Sequence, residues 1–121
     1  MKFKIKKTPR NFTPLKGIDL KDCGKIFLNN DEQITFQFDS NSSNDIVKKN
    51  WGFYLTNSIN KTLLKNNFRT ALVFSKNYNR LFINIVHKKK VIEFKKYLKN
   101  QDSEVILWLD KYDTKSKKKI K

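Results

Sequence analysis

The chain has little of the chemistry that most enzymes need. Of its 121 residues one is cysteine, one is histidine, three are glycine and two are proline. A lone Cys23 excludes an internal disulfide, and with no histidine nearby it has no zinc-ligand spacing. With glycine confined to Gly17, Gly24 and Gly52, neither a dinucleotide fingerprint nor a phosphate-binding loop can be written. The eleven acids are scattered. Asp31-Glu32 reads as a solvated turn tip, and no carboxylates pair in a metal or acid/base pattern. His87 has no acid close in sequence to orient it, and Lys88 to Lys90 follow at once; a strand-end surface histidine is the simpler reading. Ser58 and Ser75 lack the context of a nucleophile elbow. The expectation is therefore a non-enzymatic protein with no catalytic residue, no cofactor and no metal.

Long apolar runs are also missing. The longest, Leu81 to Val86, is interrupted by Asn84, far short of the roughly 18–20 residues a membrane-spanning helix needs. The lysine-rich start is not followed by the apolar stretch of a secretory signal. No membrane span is expected, and a cytoplasmic location is.

Aromatic residues and positive charge are plentiful. Ten Phe, four Tyr and two Trp can supply a core for a small domain. Lys and Arg number 27 against 11 acids, for a net charge of +16. Subtracting Arg10, Arg69 and Arg80 leaves 24 lysines. A/T-rich codons favour Lys, Asn, Ile and Phe together, so composition alone accounts for part of this. It does not account for the polarity along the chain. Segment 61–99 holds eleven basic residues and only Glu93, net +10, whereas 21–60 holds four basic and five acidic, net −1.

Period-two patterns mark strands and a 3.6-residue period marks helices. Residues 1–16, with six basic side chains, Pro9 and Pro14, read as a basic, flexible, extended arm. Residues 111–121 read as a disordered basic tail. Between them, 17–110 reads as one small α+β domain. Its start is a β-meander: Lys25 to Leu28, then Gln33 to Phe38 with Ile34, Phe36 and Phe38 on one face, then Asp45 to Lys49. From Trp51 the expected order is strand (51–55), helix (58–66), hairpin (69–75 and 80–87), helix (88–100) and strand (104–109). That βαββαβ order is the ferredoxin-like one, an antiparallel or mixed sheet with two helices.

Charge-driven binding of RNA or single-stranded DNA is the sharpest functional expectation. Lys88, Lys89, Lys95, Lys96 and Lys99 cover the polar side of the second helix, with Arg69 and Arg80 on the hairpin. Tyr54, Phe82 and Trp108 each alternate with aliphatic neighbours; if those neighbours form the core, the three aromatics lie on an open face where bases stack. The motif test is unfavourable, because Arg80-Leu81-Phe82-Ile83-Asn84 lacks both glycines of an RNA-recognition signature. The small share of arginine also argues against base-specific readout. The bland alternative is a second small core beneath the meander. Another alternative is an accessory module that docks on an acidic or apolar protein partner.

The segment Asp45 to Asn60, with Trp51-Gly52-Phe53-Tyr54-Leu55-Thr56-Asn57-Ser58-Ile59-Asn60 at its heart, resembles a group of small uncharacterised bacterial proteins, as do Arg69 to Val73 and Glu104 to Leu109. The resemblance implies a bacterial, cytosolic, stand-alone domain and brings no activity or cofactor. The same corner suggests a small ligand site, where Trp51, Tyr54, Asn57 and Asn60 converge on a helix N-terminus that favours anions.

Overall fold

Alternating side chains build most of this protein from strands. The structure, a computed structural model, describes residues 1–113 and 118–119. Within it run β1 (Lys2–Leu15), β2 (Ile18–Phe27), β3 (Gln33–Asp39), β4 (Ser42–Lys49), β5 (Gly52–Leu55), α1 (Thr62–Lys65), β6 (Phe68–Ser75), β7 (Arg80–His87), a 3-10 turn at Lys88–Lys90, α2 (Val91–Asn100) and β8 (Ser103–Trp108). Short strands β9 (Tyr112–Asp113) and β10 (Lys118–Lys119) pair antiparallel. The described chain is thus α+β, mainly antiparallel, and it gathers into two compact units, one of residues 1–34 and 46–54, the other of 35–45 and 55–121. The meander β3-β4-β5 is divided between them.

In the first unit β1 and β2 pair antiparallel from Lys2↔Phe27 to Leu15↔Ile18. The stretch expected to be a free arm is extended but paired. Gly17, at φ 82°, makes the tight turn that returns the chain, and Phe3, Phe12, Ile18, Leu20 and Ile26 give both strands enough β propensity to hold the ladder. Register shifts after Ile5 and after Phe12 absorb the irregular stretches that contain Pro9 and Pro14. Lys25 to Phe27, expected as the meander's first strand, belongs to β2. In the tail β9 and β10 pair through Lys118↔Asp113 and Lys119↔Tyr112, while the rest of the stretch expected to be disordered, apart from Lys111, lies outside the described residues.

The second unit is built on the sheet β7-β6-β8. The β6–β7 register is unbroken from Phe68↔His87 to Ser75↔Arg80. Ala71 and Val73 point from β6 toward Leu98 of α2, and Phe94, Val105 and Trp108 close around them. On the opposite face Phe68 and Thr70 are buried, and α1, whose Leu63 is fully buried, packs on β6. The linear order strand, helix, strand, strand, helix, strand from Gly52 to Trp108 is present. The ferredoxin-like sheet is not: β5 joins β4 instead of entering the sheet between other strands. The reason is local. Asp45 of β4 takes up Thr56 and Asn57 just beyond β5, so β5 stays with the meander.

Candidate nucleic-acid interface

α2 divides its surroundings by helical period. Val91, Phe94 and Leu98 face the sheet. Lys95 and Lys99, one turn apart, lie on the flank toward β8, with Lys96 and exposed Ile92 beside them. Glu93 and Tyr97 lie on the flank toward β7. Lys88, Lys89 and Lys90 precede them on the 3-10 turn and are exposed. Among the described residues none of Lys88, Lys89, Lys90, Lys95, Lys96 and Lys99 has an ion-pair partner, although Arg69, Lys76 and three cationic side chains of the first unit do. Burying Val91, Phe94 and Leu98 on the sheet requires every other position of this helix to be solvent-facing, and lysine is inexpensive there.

Between Lys95, Lys99 and β8 lies an open groove of about 450 Å3. Lys76 from the β6–β7 turn, Asp102, Glu104 and Trp108 complete its wall. Lys76 reaches Glu104 at 3.9 Å, and its backbone N–H donates to the Asp102 carbonyl at 3.2 Å, which fixes the turn against the end of α2. The Trp108 ring stands edge-on to Phe94, centroids 6.1 Å apart. The Arg69 guanidinium sits 3.9 Å from the Trp108 centroid, and Arg69 Nε donates to the nearly buried Asp110 carboxylate at 3.0 Å. Arg69 is therefore engaged through its Nε and its planar face: it orients the indole and pairs with Asp110.

The sequence-predicted residues separate accordingly. Lys95, Lys99 and Trp108 come together at one groove, with Lys96 beside Lys95 on the helix, and Lys88 and Lys89 stand on the turn before α2. Arg80 begins β7, at the far end of that strand from Lys88. Phe82 and Trp108 do share a sheet face, through Val73↔Phe82 and Ala71↔Trp108, but it is the face on which α2 packs. The open aromatic platform is corrected for this reason: Ala71 and Val73, not Leu81 and Ile83, head the helix-covered core. Tyr54 belongs to β5, in the other sheet, and stacks on Trp51 at 5.8 Å. Lys76 and Lys90 were missed in the sequence. Only the turn position of Lys76, between two strands of one hairpin, hinted that it would approach the end of the second helix.

The proposed ligand corner has different chemistry. The Asn57 side chain accepts from Asp45 N–H at 2.7 Å and donates to the Asp45 carboxylate at 3.1 Å, so both ends of its amide are occupied. Thr56 N–H and hydroxyl both go to the Asp45 carbonyl. Neither residue can cap a helix, and α1 begins only at Thr62, whose N–H is met by Ser58 Oγ at 3.0 Å. A four-residue helix has no N-terminal field to hold an anion, so the corner is structural. Asn60 lies in the turn before it, while Trp51 and Tyr54 belong to the first unit.

A polar constellation invisible in the sequence surrounds His87. Its Nε2 lies 3.0 Å from Ser42 Oγ and 3.8 Å from Asp39. The residue types match a hydrolase triad, but the proton order does not. His87 Nδ1 accepts the Lys89 N–H at 3.1 Å, so the neutral ring carries its proton on Nε2 and donates to Ser42 rather than activating it. Ser42 Oγ also accepts from Asn67 at 3.1 Å and donates a hydrogen bond to Asp39. The Asn41 N–H, then Ser42, then the nearby His87, hold the Asp39 carboxyl below the usual range. Ser42 is buried, beyond the reach of substrate. The network ties the β3–β4 turn to β7.

Among the described residues no group of three or more His, Cys, Asp or Glu side chains is placed to hold a metal, and no helix is long and apolar enough to cross a membrane. Compared with protein-family models, curated proteins and solved structures, the chain matches none.

Proposed function

We propose that the second unit binds single-stranded nucleic acid, RNA or DNA, along the lysine-bearing flank of α2, in the cytoplasm. The observation that supports this is six cations without ion-pair partners among the described residues, Lys88, Lys89 and Lys90 on the turn before α2 and Lys95, Lys96 and Lys99 on the helix, of which Lys95 and Lys99 line a groove whose wall includes Trp108. Unpaired lysines on a rigid helix neutralise phosphates and release counterions, an interaction without sequence preference. The half-buried Trp108 lines the groove where a base would contact it, and Arg69 and Phe94 hold it in place. Asp102 and Glu104 at the groove's end exclude the polyanion there and direct it along Lys95 and Lys99.

Titration of a fluorescent oligodeoxythymidine against the intact protein and against the Lys95→Gln/Lys96→Gln/Lys99→Gln variant tests this reading. The variant must bind more weakly and with a shallower salt dependence. Equal binding by both proteins would overturn it.

A further inference from the structure

The sheet of the second unit has two edges, and they differ. β8 carries Glu104 and a register break opposite Leu72 and Val73, both devices that discourage an added strand. β7 carries neither. From Leu81 to Val86 it has no charge, no proline and no bulge, and its register with β6 is continuous. Among the described residues no strand pairs with its outer edge. Every second residue of β7 thus directs its N–H and C=O away from β6. Leu81, Phe82 and Ile83 are 60%, 44% and 55% exposed, an unusual cost for three successive apolar residues on an edge.

A second feature lies along the other half of the same strand. Asn84 to His87 border a hollow of about 340 Å3 whose wall includes Phe38, Lys90, Phe94 and Tyr97. That size is near the lower end of ligand pockets, roughly 300–1,000 Å3, and suits one large apolar side chain. Peptides that add a strand to a sheet are held in this way: backbone hydrogen bonds supply affinity and a pocket for an alternate side chain supplies selectivity.

We infer that β7 accepts an extended peptide segment of a partner protein as a fourth strand of this sheet. Its chemistry is set by charge. Arg80 stands at one end of β7 and Lys88, Lys89 and Lys90 at the other, so the complementary segment is apolar in its middle, carries one aromatic or large aliphatic residue for the hollow, and has carboxylates beyond its ends. A second copy of this chain is a poor occupant. Antiparallel pairing of two β7 strands sets each Arg80 beside the other copy's Lys88, a like-charge contact, in a protein of net charge +16. The site shares Lys88, Lys89 and Lys90 with the proposed nucleic-acid surface but not its helix face, because the helix turns Glu93 and Tyr97 toward the hollow while Lys95 and Lys99 line the groove on its other flank.

The test uses a labelled synthetic peptide of alternating Val and Thr with one central Phe and two Asp at each end, in three forms: unmodified, N-methylated at odd positions and N-methylated at even positions. Anisotropy titration of the full chain in about 0.15 M salt should show one methylated form losing at least about tenfold in affinity, because it blocks the face that pairs with β7, while the other binds as the unmodified peptide does. Tyr97→Lys, at an exposed wall of the hollow, should weaken the unmodified peptide similarly. Equal binding of all three forms would reduce the interaction to charge attraction and overturn the inference. So would no binding to the folded protein, or self-association that Ile83→Lys abolishes, which would make a second copy the occupant.

Discussion

Neutralising Lys95, Lys96 and Lys99 together removes three cations that share one flank of α2 and have no ion-pair partner among the described residues. For a single-stranded polyanion, log K falls with log salt at about 0.7 per phosphate neutralised. If each lysine meets one phosphate, the triple glutamine variant flattens that slope by about 2. Because the counterion contribution vanishes near 1 M salt, the same arithmetic gives about a 100-fold loss of affinity at about 0.1 M. The assay is anisotropy of a labelled oligodeoxythymidine across a salt series. The decisive control is Lys2→Gln/Lys4→Gln/Lys25→Gln, which removes equal charge from the β1–β2 ribbon, where Lys4 and Lys25 lie directly opposite. Helix positions are solvent-exposed, so both variants should keep the parent's urea midpoint. If the ribbon variant loses slope and affinity as much as the helix variant, binding is diffuse basicity and the reasoning from α2 fails.

Leu98→Ala should destabilise the second unit by roughly 2–5 kcal/mol, since Leu98 is buried against Ala71 and Val73 and the strands cannot collapse into the space; urea unfolding followed by far-UV circular dichroism measures it. Gly24→Ala should break the β1–β2 ladder locally, because a Cβ at that position falls 1.9 Å from the Lys4 carbonyl oxygen and φ is +131°; amide exchange at Lys4 to Ile5 and Gly24 to Lys25 should speed up. Gly52→Ala meets no atom within 4 Å and should cost only its backbone strain at φ +143°. Asp39 has its folded pKa lowered, first by the Asn41 N–H and then by Ser42. Its contribution is complete above the unfolded value of about 3.9 and disappears as pH falls through the lower folded value. Asp39→Asn should therefore flatten part of the acid limb of stability below about pH 4, leaving the part due to Asp22 and Glu32, which are also lowered; an unchanged limb would refute the assignment.

Local patterns settled the strands and the long helix. Period two in Gln33 to Phe38, the apolar runs Arg69 to Ser75 and Arg80 to His87, and the turn Lys76 to Asn79 between them depend on nearest neighbours, and each strand stands within a residue of where the pattern places it. So does the helical spacing of Val91, Phe94 and Leu98. The short α1 was overestimated because Thr56 and Asn57, capping types by composition, are drawn away by Asp45, eleven and twelve residues earlier. The ribbon β1–β2 was read as a loose arm because lysine and proline outweighed its weaker alternation, and only pairing reveals a strand whose partner begins after a glycine turn.

What the amino-acid order determined alone is the set of pieces and their charge: a basic 61–99 segment, alternating strands, and a helix with one apolar stripe. Which sheet face that stripe covers was decided only in three dimensions, because alternation is symmetric: Leu81 and Ile83 are as fit for a core as Phe82 and Val86. The packing of Leu98 and Phe94 on Ala71 and Val73 broke that symmetry. Tertiary structure likewise brought Ser42 to His87, Arg69 to Trp108 and Lys76 to the end of α2. It also left β7 without an outer neighbour among the described residues. Each of these is a contact, or an open edge, between residues far apart along the chain, where no local propensity acts.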